Sequence, residues 1–199
     1  MTSTESANLI PFPSDEEEKS YEKKHSLKTD IAAFDQAVDN AWNLLRGKPF
    51  FDWIFYTSSK FGDFSLGWHF LALTRVLTRP NGLRETARLS SSLGIEAVLV
   101  NGIIKTIFHR DRPEHNNNSV HSLREPLTSS FPSGHASAAF MAASLLAEKS
   151  SNKPLWYGLA GVVSASRLHV KIHHASDVIV GAALGLTLGK IARKLRPLK

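Results

Sequence analysis

The chain has 199 residues and a formal net charge of +6, a length typical of a single domain with a sizeable core. It contains no cysteine, which excludes disulfides, thiolate catalysis and cysteine-ligated metal sites. The basic excess lies in residues 31–199, because residues 1–30 hold more acidic than basic side chains. A basic body of this kind fits nucleic acid, an anionic membrane surface or a phosphorylated substrate.

Residues 1–28 carry the acidic run Asp15-Glu16-Glu17-Glu18 and few large apolar groups. This composition predicts a disordered polar tail. The start of the chain lacks the cationic head and apolar stretch of a secretory signal. Residues 29–199 are expected to form the functional domain.

Apolar residues in the remaining chain follow a helical pattern. They recur at helical spacing from Ile31 to Leu45. Five further apolar stretches follow, at approximately 64–77, 90–108, 135–147, 155–165 and 178–191. These five stretches are rich in Leu and Ala, lack strand-like alternation and contain no proline. The predicted fold class is therefore all-α, a helical bundle of five to six helices.

The last apolar stretch carries Gly181, Gly185 and Gly189 at four-residue spacing. Each glycine costs a helix about 1 kcal/mol. Three glycines in register therefore indicate close packing against another helix, with no role in chemistry.

The apolar stretches favour an integral membrane protein, although each is shorter or more polar than about 20 clean apolar residues. If residues 64–191 cross five times, ten basic residues lie at one end: Arg79, Arg84, Arg88, Lys149, Lys153, Lys190, Arg193, Lys194, Arg196 and Lys199. The other end receives five: Arg110, Arg112, Arg124, Arg167 and Lys171. The richer end is then cytoplasmic. Residues 41–57 would form a sixth crossing or lie in the interface.

Three polar tracts accompany these helices, and the first contains Lys105 and Arg112. Two helical turns separate these cations, so they share a helix face until Pro113 ends the helix. A lysine within an apolar stretch is costly unless it pairs with a negative group. That group is a substrate phosphate or, as the structural alternative, Glu96 or Asp111.

The second tract, Phe131-Pro132-Ser133-Gly134-His135, leads into a helix of small residues. Unpaired N–H groups at a helix start bind phosphate oxygens, and glycine lets the backbone approach the anion. His135 at the same position can protonate a departing oxygen. The alternative is an ordinary helix N-cap by Ser133 beside an incidental histidine.

The third tract runs from Ser166-Arg167 to His173 and Asp177. The last two residues are four apart, which places them on one helix face, where the carboxylate can orient a nucleophilic imidazole. Arg167 can donate two hydrogen bonds to a phosphate. The alternatives are an ordinary helix contact, or a metal site suggested by His169, His173 and His174. In that site His169 and His173 have helical ligand spacing, but a third ligand at a fixed offset is missing.

Together the motifs Lys105-x6-Arg112-Pro113, Pro132-Ser133-Gly134-His135 and Ser166-Arg167-x5-His173-x3-Asp177 resemble the signature of the type 2 phosphatidic acid phosphatase superfamily, which includes vanadium haloperoxidases. The resemblance implies metal-independent hydrolysis of a phosphate ester or pyrophosphate through a phosphohistidine, with no cofactor. It assigns His173 as nucleophile, Asp177 as its orienter and His135 as general acid. The remaining signature residues would bind the phosphate: Lys105, Arg112, Ser133, Gly134 and Arg167.

The sequence therefore predicts a multi-pass phosphatase of the cell membrane, similar to short bacterial members of that superfamily. Its expected partners are the membrane and a lipid phosphate or polyprenyl (pyro)phosphate substrate, and its active site is expected to face outside the cytoplasm. No nucleic-acid partner is expected, because the cations lie at both bundle ends without aromatic interleaving. The alternatives are a vanadate-dependent haloperoxidase and a non-catalytic membrane protein that binds anionic lipid.

Overall fold

The computed structural model describes residues 15–113 and 128–198, and every regular element within these ranges is helical. The helices are α1 (Asp15–Trp42), α2 (Pro49–Gly62), α3 (Leu66–Thr78), α4 (Gly82–Ile107), α5 (Gly134–Leu146), α6 (Lys153–His169) and α7 (Ala175–Leu195). A 3-10 turn, Asp63–Ser65, joins α2 to α3, and α4 contains a π-helical segment, Val98–Ile104. The predicted all-α class is confirmed.

Within the described ranges, α2 to α7 form a six-helix bundle in which α5 packs against both α6 and α7. The composition of α5 explains its position, because its many alanines and serines let neighbouring helices approach closely. Large side chains from three other helices complete the core around it, among them Trp68, Leu89 and Val163. The predicted bundle of five to six helices is confirmed.

The glycine stripe of α7 faces α5. A Cβ atom on Gly181 or Gly185 would overlap the backbone carbonyl oxygen of Ser133 or Ser137 respectively. A Cβ atom on Gly189 would also meet a side chain of α5. The backbones of α5 and α7 are therefore in direct contact, and the predicted packing role of the stripe is confirmed.

The bundle has two distinct ends. Asp63, just before α3, lies beside His135 at the start of α5, whereas Arg75 of α3 donates to the carbonyl of Leu146 at the end of α5. Helix α3 therefore runs the length of α5. The end that contains His135, called the site end below, also receives the end of α4 and the start of α7.

Helix α1 begins earlier than the sequence predicts. Residues 15–28 form its first half, where a disordered tail over residues 1–28 was expected; residues 1–14 lie outside the described residues. Glutamate and lysine are strong helix formers, and acidic residues in a first turn interact favourably with the helix dipole. The side chains described in this half are exposed.

Two helices within the described ranges are long and apolar enough to cross a membrane, α4 with 26 residues and α7 with 21. Both expose large aliphatic side chains on the outside of the bundle: Ile95, Val98, Ile103 and Ile107 on α4, and Ile179, Ile191 and Leu195 on α7. Exposed apolar surface of this extent is typical of a face that contacts lipid or another protein.

Candidate active site

Lys105 lies at the end of α4 and is 7% exposed. It forms no hydrogen bond or ion pair with any described residue, and Asp177 and Glu96 attract its charge only from a longer distance. A lysine buried without a carboxylate partner is costly. Its position at the site end suits the binding of an anion.

Arg112 reaches the site end from an extended segment. Its Nη1 donates to the carbonyl of Ile172 at 2.7 Å, and its Nη2 donates to the carbonyl of Thr128 at 2.9 Å. The prediction that Lys105 and Arg112 share a helix face is wrong, because α4 ends before Arg112. Pro113 disfavours a helical conformation at the residue before it, and the two loop carbonyls hold the guanidinium in place.

Arg167 lies in the last turn of α6 and is 2% exposed. Its Nη1 donates to the hydroxyl of Ser59 on α2 at 2.5 Å. Its carbonyl accepts hydrogen bonds from the backbone N–H groups of Ile172, at 3.2 Å, and His173, at 3.3 Å. The loop after α6 therefore folds back and places His173 beside Arg167.

The Nδ1 atom of His173 lies 3.7 Å from Oδ2 of Asp177. This distance exceeds the length of a hydrogen bond but permits a strong electrostatic interaction. The pair is not stacked on one helix face as its spacing predicts, because His173 precedes α7, which begins at Ala175. Asp177 instead caps that helix by accepting a hydrogen bond from the backbone N–H of His174 at 2.9 Å.

Asp177 is fully buried and receives further hydrogen bonds from the Ser130 hydroxyl at 2.5 Å and from Nη1 of Arg110 at 2.6 Å. Nη2 of Arg110 bonds Asp35 of α1, also at 2.6 Å. Arg110 and Asp35 were not predicted from the sequence as site residues. The available signal was weak: Asp35 falls on the apolar face of a helical pattern.

His135 lies in the first turn of α5, and its Nε2 is 3.0 Å from Oδ1 of Asp63. Gly62 packs against the ring, since a Cβ atom there would lie 2.7 Å from Cδ2 of His135. Asp63 was not predicted from the sequence either, because it lies in a turn without any recognisable motif.

Ser133 is the N-cap of α5, and its hydroxyl accepts a hydrogen bond from the Ala136 N–H at 3.4 Å. Its own N–H donates to the Asp177 carbonyl at 3.0 Å. Gly134 lies against α4, because a Cβ atom there would lie 2.7 Å from Oδ1 of Asn101. The tract is thus held between α4 and α7, and Ser133 forms the helix cap that the alternative interpretation describes.

Three cations surround His173. Lys105, Arg112 and Arg167 are all close enough to act on its charge. Burial lowers the pKa of His173 well below its usual value, the cations lower this pKa further, and Asp177 acts in the opposite direction. The imidazole is therefore neutral near pH 7, the protonation state that a nucleophile requires.

A cavity of about 530 Å³ adjoins His173 and lies between α1 and the segments that hold Arg110 and Lys171. Its walls combine these cations with the carboxylates Asp35 and Asp39. A cavity of this size and polarity fits a hydrophilic group of a substrate or product.

His169, which the metal alternative pairs with His173, contacts residues of α2. Nε2 of His169 lies 2.7 Å from Oδ1 of Asp52, and the His169 ring packs on Phe55 with 4.7 Å between ring centroids. In the described ranges no group of three His, Asp or Glu side chains is placed to hold a metal ion.

An all-helical bundle that gathers three cations, two histidines and a buried aspartate at one end defines a class of protein, the helical-bundle enzymes that process phosphate groups. The sequence model of the PAP2 superfamily matches residues 86–199, more than half of the chain. The chain belongs to the PAP2 superfamily, and the predicted family is confirmed.

The relatives include a decaprenylphosphoryl-5-phosphoribose phosphatase of Mycobacterium tuberculosis, 35% identical over 133 residues, which cover 67% of this chain and 73% of the relative. The crystal structure of Aquifex aeolicus LpxE superposes with a TM-score of 0.65 and 28% identity, covering 80% of this chain and 94% of that one. The transmembrane PAP2-type phosphatidylglycerolphosphate phosphatase of Bacillus subtilis shares the fold, with a TM-score of 0.56, 23% identity and coverage of 83% and 86%.

Proposed function

We propose that residues 29–199 form a membrane phosphatase that releases phosphate from a lipid phosphate or a polyprenyl (pyro)phosphate through a phosphohistidine. The observation that carries this proposal is the buried, neutral imidazole of His173 among Lys105, Arg112 and Arg167. Cations bind the phosphate oxygens while the neutral ring nitrogen attacks phosphorus. The membership of the PAP2 superfamily and a relative that is itself named a phosphatase support this enzyme class.

The reaction has two steps. Nε2 of His173 forms a bond to phosphorus as the bond between phosphorus and the lipid oxygen breaks, and His135 gives its proton to the departing oxygen. His135 then takes a proton from a water molecule that attacks phosphorus. The bond between phosphorus and nitrogen breaks, which restores His173 and releases inorganic phosphate. The carboxylate of Asp177 orients the ring and stabilises the positive charge that it acquires during attack.

The phosphate is held by two kinds of group. Lys105, Arg112 and Arg167 stabilise the charge on its oxygens, and loss of one such donor costs about 10²–10³ in rate. Gly134 offers its backbone N–H at the start of α5. Ser133 contributes by capping the same helix, which fixes the position of that N–H group.

The substrate class follows from the surroundings of the site. The mycobacterial relative is named for a lipid-linked phosphate. The exposed apolar faces of α4 and α7 provide a hydrophobic surface leading to the same end of the bundle, along which an acyl or prenyl chain can lie. We therefore assign lipid and polyprenyl phosphates as substrates, with the membrane as the protein's environment.

Phosphate release from phosphatidate and from a polyprenyl phosphate, measured with purified protein in EDTA, tests the function. We expect release that vanadate inhibits and a phosphoenzyme that is stable in alkali and labile in acid. His173→Ala should lose both, whereas His25→Ala, at an exposed position on α1, should retain them. Dependence on a metal would overturn the metal-independent mechanism, and near-native turnover by His173→Ala would overturn the assignment of the nucleophile. Lipid binding without release would favour the non-catalytic alternative.

We further propose a multi-pass arrangement in the cell membrane with the site end outside the cytoplasm, because the opposite end carries the larger number of basic residues. The chain has no cysteine, so single cysteines can report the orientation. An impermeant maleimide added to intact cells should label Lys171→Cys at the site end and spare Arg84→Cys at the opposite end. Labelling of Arg84→Cys alone would reverse the orientation.

A further inference from the structure

The contact between His135 and Asp63 suggests a further residue for the reaction, an inference that rests on the proposed function. Asp63 lies in the turn between α2 and α3, upstream of residues 86–199 that match the family. Its Oδ1 is 3.0 Å from Nε2 of His135. The Asp63 side chain is 47% exposed and the His135 side chain 19%, so the pair lies at the surface of the site end and not in the core of the bundle.

The two residues that follow Asp63 have strained backbone conformations. Phe64 and Ser65 have φ values of 50° and 58°, in the left-handed region. Such conformations are unfavourable for a residue other than glycine and are concentrated at functional sites. On the other side of Asp63, only a glycine fits at position 62 without displacing the His135 ring. Backbone strain and close packing therefore both occur directly beside the contact.

The charges near His135 indicate what the contact with Asp63 does. A general acid must carry a proton, yet burial disfavours a positively charged His135 ring, and Arg167 and Lys105 lie close enough to repel it further. The carboxylate of Asp63 is within hydrogen-bonding distance of that ring and offsets the repulsion. Asp63 also attracts the buried guanidinium of Arg167, which lies beside the site.

We propose that Asp63 is a positioning residue that holds His135 through Nε2 and stabilises its protonated form. Nδ1 of His135 forms no hydrogen bond with the described residues, so its N–H is available to the substrate. As the bond between phosphorus and the lipid oxygen breaks, the Nδ1 proton moves to that oxygen, and the neutral ring keeps its Nε2–H on Asp63. The water that attacks the phosphohistidine then returns a proton to Nδ1.

A comparison of two substrates that differ in their need for an acid tests this role. Dodecyl phosphate releases a strongly basic alkoxide that requires protonation, whereas 4-nitrophenyl phosphate releases a weakly basic phenolate. In Asp63→Asn, kcat/KM for dodecyl phosphate should fall about tenfold to 100-fold, and kcat/KM for 4-nitrophenyl phosphate should fall less than about threefold. Because kcat/KM reports the steps up to departure of the leaving group, hydrolysis of the phosphoenzyme does not enter the comparison. The alkaline limb of the kcat/KM profile for dodecyl phosphate should move to lower pH.

Asp52→Asn is the matched control. Asp52 lies on α2 and, like Asp63, precedes the residues that match the family. Its Oδ1 lies 2.7 Å from Nε2 of His169. Neither Asp52 nor His169 has a role in the proposed reaction. Substitution of Asp52 should leave the ratio of the two kcat/KM values unchanged. A reduced fraction of folded enzyme cancels in that ratio, so equal losses on both substrates in Asp63→Asn would overturn the positioning role. Failure of the unsubstituted protein to release phosphate from either substrate would instead overturn the proposed function.

Discussion

Asp35 on α1 accepts two hydrogen bonds from Ser176 in the first turn of α7, one from its backbone N–H at 2.8 Å and one from its hydroxyl at 2.7 Å. The next residue of α7 is Asp177, the buried aspartate of the candidate site. Arg110 connects both carboxylates through its two terminal nitrogens. A helix outside the family match therefore fixes the start of the helix that carries Asp177.

Asp35→Ala tests this link. The substitution removes the acceptor for the Ser176 N–H and for one arm of Arg110, and an unpaired buried donor costs about 1–3 kcal/mol. We expect the melting temperature in detergent to fall by about 3–10 °C, together with the rate of phosphate release. Asp30→Ala, at an exposed position of the same helix, should leave both unchanged. An unaltered melting temperature for Asp35→Ala would show that α1 does not support the site.

Arg110→Lys separates the geometry of the guanidinium from its charge. Lysine retains the positive charge, but its single ammonium group cannot replace the fork that reaches Asp35 and Asp177 at the same time. Loss of one charge-assisted hydrogen bond, about 1.5 kcal/mol, corresponds to a decrease in kcat/KM of about tenfold. Arg84→Lys at the opposite end of the bundle provides the comparison, and equal activity in the two variants would contradict the bridging role.

The sequence predicted the convergence of the signature residues but not their local geometry. Alternating helices place Lys105, His135 and Arg167 at one end of a bundle whatever the details of packing. The helix-face arguments for Arg112 and for His173 were wrong, because both residues lie in loops whose polar groups bond distant parts of the chain. Helical spacing does not reveal where a helix ends when tertiary hydrogen bonds replace helical ones.

Asp35, Asp63 and Arg110 were not predictable from the sequence. Each is a common residue type in a segment without a motif, and each acts through a partner far away in the chain. The first half of α1 illustrates a related limit. Its charged composition is typical of both disordered tails and exposed helices, so composition alone does not choose between them.

Gly185→Ala tests the direct contact between α5 and α7. Alanine favours a helix over glycine by about 1 kcal/mol, but its Cβ atom would overlap the Ser137 carbonyl and force the two helices apart. We expect a net loss of stability of about 1–3 kcal/mol. Gly158→Ala on α6 has no heavy atom within 4 Å of the added Cβ and should be neutral or stabilising. Melting temperatures in detergent would compare the two, and a stabilised Gly185→Ala would refute the close contact.

The lowered pKa of His173 predicts a stability that depends on pH. In the unfolded chain this histidine titrates near its ordinary value of about 6.5, whereas burial and the neighbouring cations keep it neutral to much lower pH in the folded protein. Between the two pKa values the unfolded state binds more protons than the folded state. The contribution of His173 to the free energy of unfolding is therefore fully present above about pH 6.5 and is lost as the pH falls below it. Replacement of the ring by an uncharged amide in His173→Asn should reduce this loss, which melting temperatures between about pH 7.5 and 4.5 would reveal. His25→Asn, at an exposed position on α1, should keep the pH dependence of the unsubstituted protein. Identical pH dependence in His173→Asn and the unsubstituted protein would mean that His173 is not held neutral by the fold.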